Sequence, residues 1–335
     1  MTGSSRERSS ASPLLEVTDL VKHFPIKSGI VVDREVGRVR AVDGVSLTIN
    51  EGETLGLVGE SGCGKSTLCR TILQLTAPSS GSVRFAGEEL VGRSRRQLRP
   101  IRRQIQMIFQ DPYASLNPRK RICQIIGEPM EMHGLANGRD VDKTTQDLLD
   151  RVGLHPEHAN RYPHEFSGGQ RQRIGIARAL ALQPKLIIAD EPVSALDVSV
   201  QAQIVNLLKD LQDEMGLSYL FVAHDLGVVR HVSDRVAVMY LGRIVESGSA
   251  TDLYQHPLHP YSNALLSAVP IPDPKLNTAR ERLILEGDPP SPIDPPSGCH
   301  FHTRCPWTTD VCDTDDPELR ELETDHLAAC HHPRT

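Results

Sequence analysis

The stretch GESGCGKST, Gly59–Thr67, decides the fold. It follows GETLGLVG, a short apolar segment that predicts a strand, and it precedes LCRTILQL, which has helical spacing. Glycines in the pattern G-x-x-x-x-G-K-[ST] let backbone N–H groups surround phosphate oxygens, and the helix N-terminus adds partial positive charge. A strand, this loop and a helix in that order predict a nucleotide phosphate site in an α/β fold.

Two side chains of this loop have distinct expected roles. Lys65 can reach the β- and γ-phosphates, and the Ser66 hydroxyl can ligate Mg²⁺. Cys63 is most simply a small filler, with a redox role as the lesser alternative. The predicted nucleotide contacts in the loop are Gly59, Ser61, Gly62, Cys63, Gly64, Lys65, Ser66 and Thr67.

A second motif, LIIADE at Leu186–Glu191, supplies two adjacent acids after a fully apolar strand. Burying such carboxylates is costly unless a cation lies nearby. We therefore expect Asp190 to hold Mg²⁺ through water and Glu191 to polarise the attacking water as a general base.

A third motif, FSGGQRQR at Phe166–Arg173, places two glycines before a predicted helix. This creates another helix N-terminus suited to an anion, and it cannot also belong to the first phosphate site. One phosphate loop and one spare helix terminus fit two copies that face each other head to tail. Each copy would then present Ser167, Gly168, Gly169 and Gln170 to the γ-phosphate of its partner.

Strand patterns alternate with helical patterns along the chain, which predicts a largely parallel sheet. The segment Lys27–Arg40 interrupts the first strands as an insertion, and 270–296 holds eight prolines, which predicts an extended connector. The arginine cluster at 93–103 is interpreted as a solvated helix face or turn. We expect a disordered leader over 1–13 and a nucleotide-binding domain over 14–260, with a helical subdomain at about 110–185. The connector and a Cys-rich extension follow over 261–335.

Composition limits the function classes. The 335 residues are 39% hydrophobic and 24% charged, with a net charge of −6, which argues against a dedicated nucleic-acid binder. No apolar run approaches membrane-spanning length, and the polar N-terminus is unlike a signal peptide. We expect a soluble protein in a reducing compartment that can still dock on a membrane protein.

Taken together, the three motifs resemble the ATP-binding cassette (ABC) ATPases in order and spacing over about 14–248. This resemblance implies a mixed sheet core with a helical subdomain, binding of ATP and Mg²⁺, and ATP hydrolysis. Gln110 in MIFQDP resembles the Q-loop that senses γ-phosphate and Mg²⁺, and His224 in FVAHD resembles the switch histidine. Phe24 resembles the aromatic residue that stacks on adenine, with a core role as the alternative. The D-loop would be Ser194, Ala195, Leu196 and Asp197.

Four cysteines lie close together near the C-terminus, at Cys299, Cys305, Cys312 and Cys330. Clustered thiolates suit zinc or an iron–sulfur cluster, and their spacing leaves that choice open. Reduced thiols packed in a small extension are the alternative.

The whole chain beyond the leader is similar to ATPase subunits of dipeptide and oligopeptide importers and their nickel-importer relatives. The resemblance rests on FQDPYASLNPR, HPLHPYSNALLSAVP and the P-S-G-C-x-F-x-x-R-C segment. It implies a 4Fe–4S cluster in preference to zinc. It also implies a bacterial importer at the cytoplasmic face of the inner membrane, with a paralogous ATPase subunit, two transmembrane permease subunits and an extracytoplasmic substrate-binding protein.

Two other function classes fit the sequence less well. A soluble ABC ATPase that acts on nucleic acid or ribosomes would carry two cassettes or a long coiled-coil insertion, and the sequence shows neither. A cluster-assembly scaffold ATPase would lack the proline-linked extension.

Overall fold

The computed structural model describes residues 12–28, 34–269, 283, 285 and 287–334. Most of the predicted leader and most of the first half of the proline-containing connector lie outside these residues. So does the middle of the predicted insertion, 29–33.

Twelve strands form two sheets among the described residues. The smaller sheet has the order β2-β1-β4-β5, and the larger has the order β11-β12-β10-β9-β3-β8-β7-β6. The strands are β1 Leu15–Ser28, β2 Arg34–Ile49, β3 Thr54–Val58, β4 Ser80–Phe85, β5 Glu88–Glu89, β6 Ile105–Ile108, β7 Leu186–Asp190, β8 Ser218–Val222, β9 Arg235–Tyr240, β10 Arg243–Ser249, β11 Arg320–Glu323 and β12 His326–Ala328.

Eleven α-helices occur in the same described ranges. They are α1 Lys65–Ile72, α2 Arg95–Gln104, α3 Pro112–Ser115, α4 Ile122–Met132, α5 Arg139–Arg151, α6 Gly168–Leu180, α7 Val198–Met215, α8 Leu226–Val232, α9 Ala250–Gln255, α10 Pro260–Ser267 and α11 Asp310–Thr314. The arginine cluster lies largely on α2, whose N-terminus is closed by a capping box at Ser94. Each described helix is too short or too polar to cross a lipid bilayer.

The larger sheet is parallel only from β6 through β7, β8 and β3 to β9. β3, β7 and β8 are fully buried, as expected for central strands covered on both faces. Their carboxyl ends meet at one edge of the sheet, so the loops that follow them converge there. Beyond β9 the pairing is antiparallel, because β9 and β10 form a tight hairpin around Leu241 and Gly242. The prediction of a largely parallel sheet therefore holds for the centre of the molecule alone.

The smaller sheet is antiparallel, and its two long strands differ from the sequence prediction. β1 continues to Ser28 and β2 begins at Arg34, so most of the predicted insertion is strand rather than loop. The pairing places Phe24 opposite Val39. Charged residues such as Lys27 and Arg38 are compatible with strand here because this end of the hairpin is solvent-exposed.

Helices α3 to α6 pack together beside the sheet and share one apolar core with it. Ile126 of α4, Leu149 of α5 and Ile174 of α6 are fully buried in that core. The segment that contains Ser167 lies at the N-terminus of α6. This position matters for the site described below.

C-terminal residues join the larger sheet, because β12 pairs with β10. The contact includes a buried carboxylate, Glu246, which accepts the backbone N–H groups of Leu258 and His259 at 2.8 and 2.9 Å. Nε2 of His326 lies 2.8 Å from the same carboxylate. Glu246 is therefore satisfied on several sides, as a buried charge requires.

His259 makes the stability of this region sensitive to acid. Burial lowers the pKa of His259 to about 4, and its Nδ1 accepts the backbone N–H of Tyr261 at 3.0 Å. The unfolded chain binds a proton at the ordinary value of about 6.5. The contribution of His259 to the free energy of unfolding is thus complete above pH 6.5 and falls as pH drops toward 4, by about 1.4 kcal/mol per pH unit.

We expect urea unfolding between pH 6.5 and 4.5 to show a shallower loss of stability in His259→Asn than in the wild-type chain. Asparagine keeps an acceptor for the Tyr261 N–H but does not titrate. His326 does not titrate in the same pH range. Burial lowers the pKa of His326, but the hydrogen bond to Glu246 and the charge of that carboxylate raise it further, so the net pKa is raised. The stability that His326 contributes is therefore lost only as pH rises above 6.5. Parallel stability curves for the two proteins would contradict the assignment.

Candidate functional site

The loop Gly59–Thr67 closes around the N-terminus of α1, and two of its glycines are structurally required. A Cβ at Gly59 would lie 2.2 Å from the backbone oxygen of Met239, and one at Gly64 would lie 2.0 Å from that of Ala41. Gly64 also has φ +112° at the position preceding α1. Glycine at these two positions lets the backbone curve tightly around the N-terminus of α1, where helix N–H groups can bind an anion.

The Lys65 side chain folds back onto the backbone of the phosphate loop. Its side chain is only 4% exposed, and Nζ donates to the carbonyl oxygens of Gly59 and Glu60 at 2.7 and 3.0 Å. These partners are neutral carbonyl oxygens rather than a carboxylate, so the side chain can pair with a phosphate instead. Cys63 packs beside it with 6% exposure, and burial raises the pKa of its thiol, which fits a filler.

Ser66 and Asp190 meet beneath the loop. The Ser66 hydroxyl donates to Oδ1 of Asp190 at 3.0 Å, and Asp190 is 3% exposed. Burial raises the pKa of Asp190, the Ser66 hydrogen bond opposes this, and the charge of Glu191 adds to it. A hydroxyl beside a poorly solvated carboxylate is a donor set that fits Mg²⁺, which takes oxygen ligands.

Gln110, Glu191 and His224 come together although they are far apart in sequence. Nε2 of Gln110 donates to Oε2 of Glu191 at 2.8 Å, and Nδ1 of His224 lies 3.6 Å from the same oxygen. Glu191 adopts φ +47°, a left-handed conformation that is uncommon for a residue with a side chain. Its backbone N–H donates to Val222 of β8 at 2.9 Å, which fixes the turn after β7.

These groups border one cleft of about 880 Å³. Phe24, 38% exposed, lies at the end that faces the smaller sheet, where Lys22 Nζ is 4.8 Å from its ring centre. The residues of the sequence prediction that line the cleft are Phe24, Ser61, Gly62, Gly64, Lys65, Ser66, Thr67, Gln110, Glu191, Ser194, Ala195 and His224. Gly59, Cys63, Asp190, Leu196 and Asp197 are not among its lining residues.

Four lining residues were missed by the sequence analysis: Val39, Ala41, Asp111 and Pro292. Alternation along β2 could have indicated Val39 and Ala41, because residues two apart on a strand lie on the same face, and Val39 pairs with Phe24. Asp111 could have been predicted, because it directly follows the predicted site residue Gln110. No local signal indicated Pro292, which comes from the distant C-terminal part of the chain.

The segment Ser167–Gln170 does not line this cleft. Ser167 is exposed, and a capping box joins its hydroxyl to the Gln170 N–H at 3.3 Å and its N–H to Oε1 of Gln170 at 3.0 Å. On the inner side, a Cβ at Gly168 would meet Leu196 at 3.5 Å and one at Gly169 would meet Val200 at 2.5 Å. The helix N-terminus is thus packed against the D-loop segment of its own chain while its polar end faces outward.

The prediction of an iron–sulfur cluster at Cys299, Cys305, Cys312 and Cys330 is wrong. Within the described ranges, no group of three or more His, Cys, Asp or Glu side chains is arranged to hold a metal ion. The four cysteines border a mostly apolar cavity of about 10 Å³, roughly the space one water molecule needs. Burial raises the pKa of Cys299 and of Cys330 to about 11, as expected for thiols packed in apolar surroundings. The zinc alternative lacks a ligand set as well, because the described residues hold no such group of side chains.

Comparisons with known proteins agree with this geometry. Residues 42–194 match the ABC transporter family, and residues 245–312 match the C-terminal region of oligopeptide/dipeptide transporters. The oligopeptide transport ATP-binding protein AppF of Bacillus subtilis is 56% identical over 95% of this chain and 97% of its own. OppF of Salmonella typhimurium, another oligopeptide transport ATP-binding protein, is 56% identical over 95% of each chain.

A solved structure is similar as well. It is a dimeric ATP-binding cassette in a post-hydrolysis state with bound ADP and Pi, 31% identical, with a TM-score of 0.63 over 70% of this chain and 98% of its own. Since full-length relatives share more than half of their residues with it and the cleft carries the phosphate loop and acidic strand, this chain belongs to the ABC-type ATPases, in the group of oligopeptide transport ATP-binding proteins.

Proposed function

We infer that this chain is the ATP-hydrolysing subunit of an ABC importer for oligopeptides. The observation that carries the inference is the shared cleft, which is lined by Lys65, Ser66 and the Gln110–Glu191–His224 group. Asp190 lies behind this lining, hydrogen-bonded to Ser66. Further support comes from relatives at 56% identity, which are oligopeptide transport ATP-binding proteins. The subunit would lie at the cytoplasmic face of the membrane as a peripheral protein.

The residues of the cleft divide the chemical work among them. Lys65 and the loop N–H groups bind the phosphates, and Phe24 stacks on adenine at the far end. Ser66 and Asp190 would hold Mg²⁺, with Gln110 nearby; the ion would neutralise charge on the β- and γ-phosphates. Glu191 accepts a proton from the attacking water, and His224 orients both the water and Glu191.

A second cassette completes each site in this proposal. Ser167, Gly168, Gly169 and Gln170 are outside the cleft of their own chain but present a helix N-terminus to the surface. Facing a partner head to tail, that terminus would meet the γ-phosphate bound by the partner. Ser194 and Ala195 line the cleft while Leu196 contacts the Gly168 position, so the D-loop segment links the two regions.

Transport requires further subunits. Permease subunits would receive the movement of the helical region α3–α6, which Gln110 joins to the cleft, and a substrate-binding protein would deliver the peptide. We propose a paralogous ATPase subunit as the cassette partner. We also propose that 110–185 moves as a subdomain, and that the Cys-rich residues from 261 onward are an addition to the ATP-binding domain, since a separate family match covers 245–312.

The nucleic-acid alternative is not favoured, because the relatives named above are transport proteins. Affinity purification from membranes tests the transport role directly. We expect two permease subunits and a second ATPase subunit to co-purify, and RNase-sensitive association in their place would contradict it.

Lys65→Ala is expected to weaken ATP binding by about 10- to 100-fold. The reason is that charge-assisted hydrogen bonds are worth about 1.5–3 kcal/mol each, and 1.4 kcal/mol corresponds to a factor of ten. Titration with a fluorescent ATP analogue measures the change. Lys185→Ala, which removes a half-exposed lysine near Glu51, is the matched control. Unchanged affinity in Lys65→Ala would refute the phosphate assignment.

A further inference from the structure

The phosphate loop is held from outside by the C-terminal part of the chain. Arg304 donates from Nη1 to Oε2 of Glu60 at 2.9 Å and from Nη2 to Oε1 at 3.1 Å. The Arg304 side chain is 7% exposed and that of Glu60 is 28% exposed. A bidentate guanidinium–carboxylate pair with this little solvent is among the stronger polar contacts in proteins.

Glu60 also connects directly to the groups that face phosphate. Its carbonyl oxygen accepts from Nζ of Lys65, and its backbone N–H donates to the buried Tyr261 hydroxyl at 2.8 Å. Arg304 therefore fixes one end of a short series of contacts whose other end is the phosphate-binding ammonium. The hydrogen bond to Glu60 and the charge of that carboxylate raise the pKa of Arg304.

The end of the cleft near Phe24 is bordered by the C-terminal part of the chain. Pro292 lines the cleft, and its carbonyl oxygen accepts the Arg40 N–H at 2.9 Å. The next residue, Ile293, lies against Gly37 of β2, where an added Cβ would be 3.4 Å from Cγ2 of Ile293. Pro292 is thus placed next to the strand that carries Val39, beside Phe24.

Between Pro292 and Arg304 the segment is anchored in the core. Phe301 is 1% exposed, and its ring centre is 5.3 Å from that of Tyr240 and 5.4 Å from that of Tyr261. Offset and tilted aromatic groups at these distances are favourable. Because Phe301 is fixed, one continuous segment holds Pro292 at the cleft and Arg304 against Glu60 of the phosphate loop.

We propose that the segment 292–304 is part of the nucleotide site. Arg304 is a positioning residue for the phosphate loop, and Pro292 forms a wall at the base end. Without Arg304, the Glu60 carboxylate would be left unpaired beside a bound triphosphate, and its repulsion would weaken binding. The inference rests on the proposed ATP site and adds that docking of this segment sets nucleotide affinity.

Binding of ATP and of inorganic tripolyphosphate to the full-length chain distinguishes the role of Arg304 from that of Pro292. We expect Arg304→Met to weaken both ATP and inorganic tripolyphosphate roughly tenfold, a loss typical of one charged contact. Pro292→Asp should weaken ATP but leave tripolyphosphate binding unchanged, because it acts at the base end. Asp316→Asn, which alters the Arg243–Asp316 ion pair of the same C-terminal region, is the matched control and should change neither.

A double substitution distinguishes the effect of Arg304 on the Glu60 charge from a loss of packing. Glu60→Gln combined with Arg304→Met removes the unpaired carboxylate, so we expect most of the lost affinity to return, with KM following the binding change and kcat little altered. Failure of the double variant to recover, or unchanged affinity in Arg304→Met, would overturn the proposal. Lys65→Ala distinguishes a failure of this proposal from a failure of the proposed ATP site. If Lys65→Ala lowers ATP affinity and Arg304→Met does not, only the role of the segment 292–304 is rejected.

A measurement without substitutions gives an independent test. By linkage, ATP that binds better when the segment is docked must also stabilise docking. Saturating ATP and Mg²⁺ should slow amide hydrogen exchange across 298–305 in the wild-type chain by at least severalfold. Slower exchange in the phosphate loop with none in this segment would contradict the coupling.

Discussion

Glu191→Gln should lower ATP turnover by roughly 10²–10⁴-fold, the usual contribution of a general base. The amide keeps the shape of the side chain but cannot accept the proton from the attacking water. ATP binding should remain, because Lys65 and the loop backbone hold the phosphates independently of Glu191. Phosphate release and binding of a fluorescent ATP analogue, measured on one preparation, separate the two effects.

Glu157→Gln is the matched control for this substitution. Its side chain is 88% exposed and lies far from the cleft in sequence, and we expect normal turnover. Normal hydrolysis in Glu191→Gln would contradict the assignment of the base. A loss of ATP affinity as large as the loss of turnover would also contradict it, since the residue would then hold the nucleotide rather than the water.

Gly168→Asp should reduce ATP turnover about as strongly as Glu191→Gln does. The effect should arise at the ATP site of the partner cassette rather than at the site of the substituted chain. A carboxylate at this helix N-terminus would face the γ-phosphate of the second cassette and repel it. The fold should tolerate the change, because a Cβ at Gly168 meets Leu196 at an ordinary 3.5 Å, whereas one at Gly169 would clash with Val200 at 2.5 Å. Turnover of the assembled importer and ATP affinity of the isolated chain are the two measurements.

Gln146→Asp adds the same charge to an exposed position on α5 and should leave turnover normal. The isolated Gly168→Asp chain should bind ATP as well as the wild-type chain does, since its own cleft does not include this residue. If its own ATP affinity fell with turnover unchanged per bound nucleotide, the outward-facing role of the segment would be rejected.

The group around Glu191 was predicted from two signals: Glu191 from its place after an apolar strand, and Gln110 and His224 from the family resemblance. The strand order of the fold explains why the three residues meet. Gln110, Glu191 and His224 each come directly after, or two residues after, β6, β7 and β8, which are neighbouring parallel strands. Parallel strands end at the same edge, so residues at their carboxyl ends must meet. The motif at Gly59–Thr67 was equally local, since its strand, loop and helix are contiguous in sequence.

The contacts of the C-terminal residues 292–330 could not be predicted in this way, because they join parts of the chain that are distant in sequence. Arg304 and Glu60 are 244 residues apart, and no periodicity links them. The count and spacing of Cys299 to Cys330 suggested metal, but spacing does not report whether the thiols are ionised or whether room exists between them. In the folded chain burial raises the pKa of Cys299 and Cys330, and the four cysteines border a cavity of about 10 Å³.

The dependence of specific ATPase activity on protein concentration tests the central claim most directly, because each working site should need two cassettes. For the isolated chain we predict activity per molecule that rises with concentration, or that is negligible until a second cassette subunit is added. A preparation shown by light scattering to be monomeric, with the full turnover of the assembled importer and constant activity per molecule on dilution, would contradict the account.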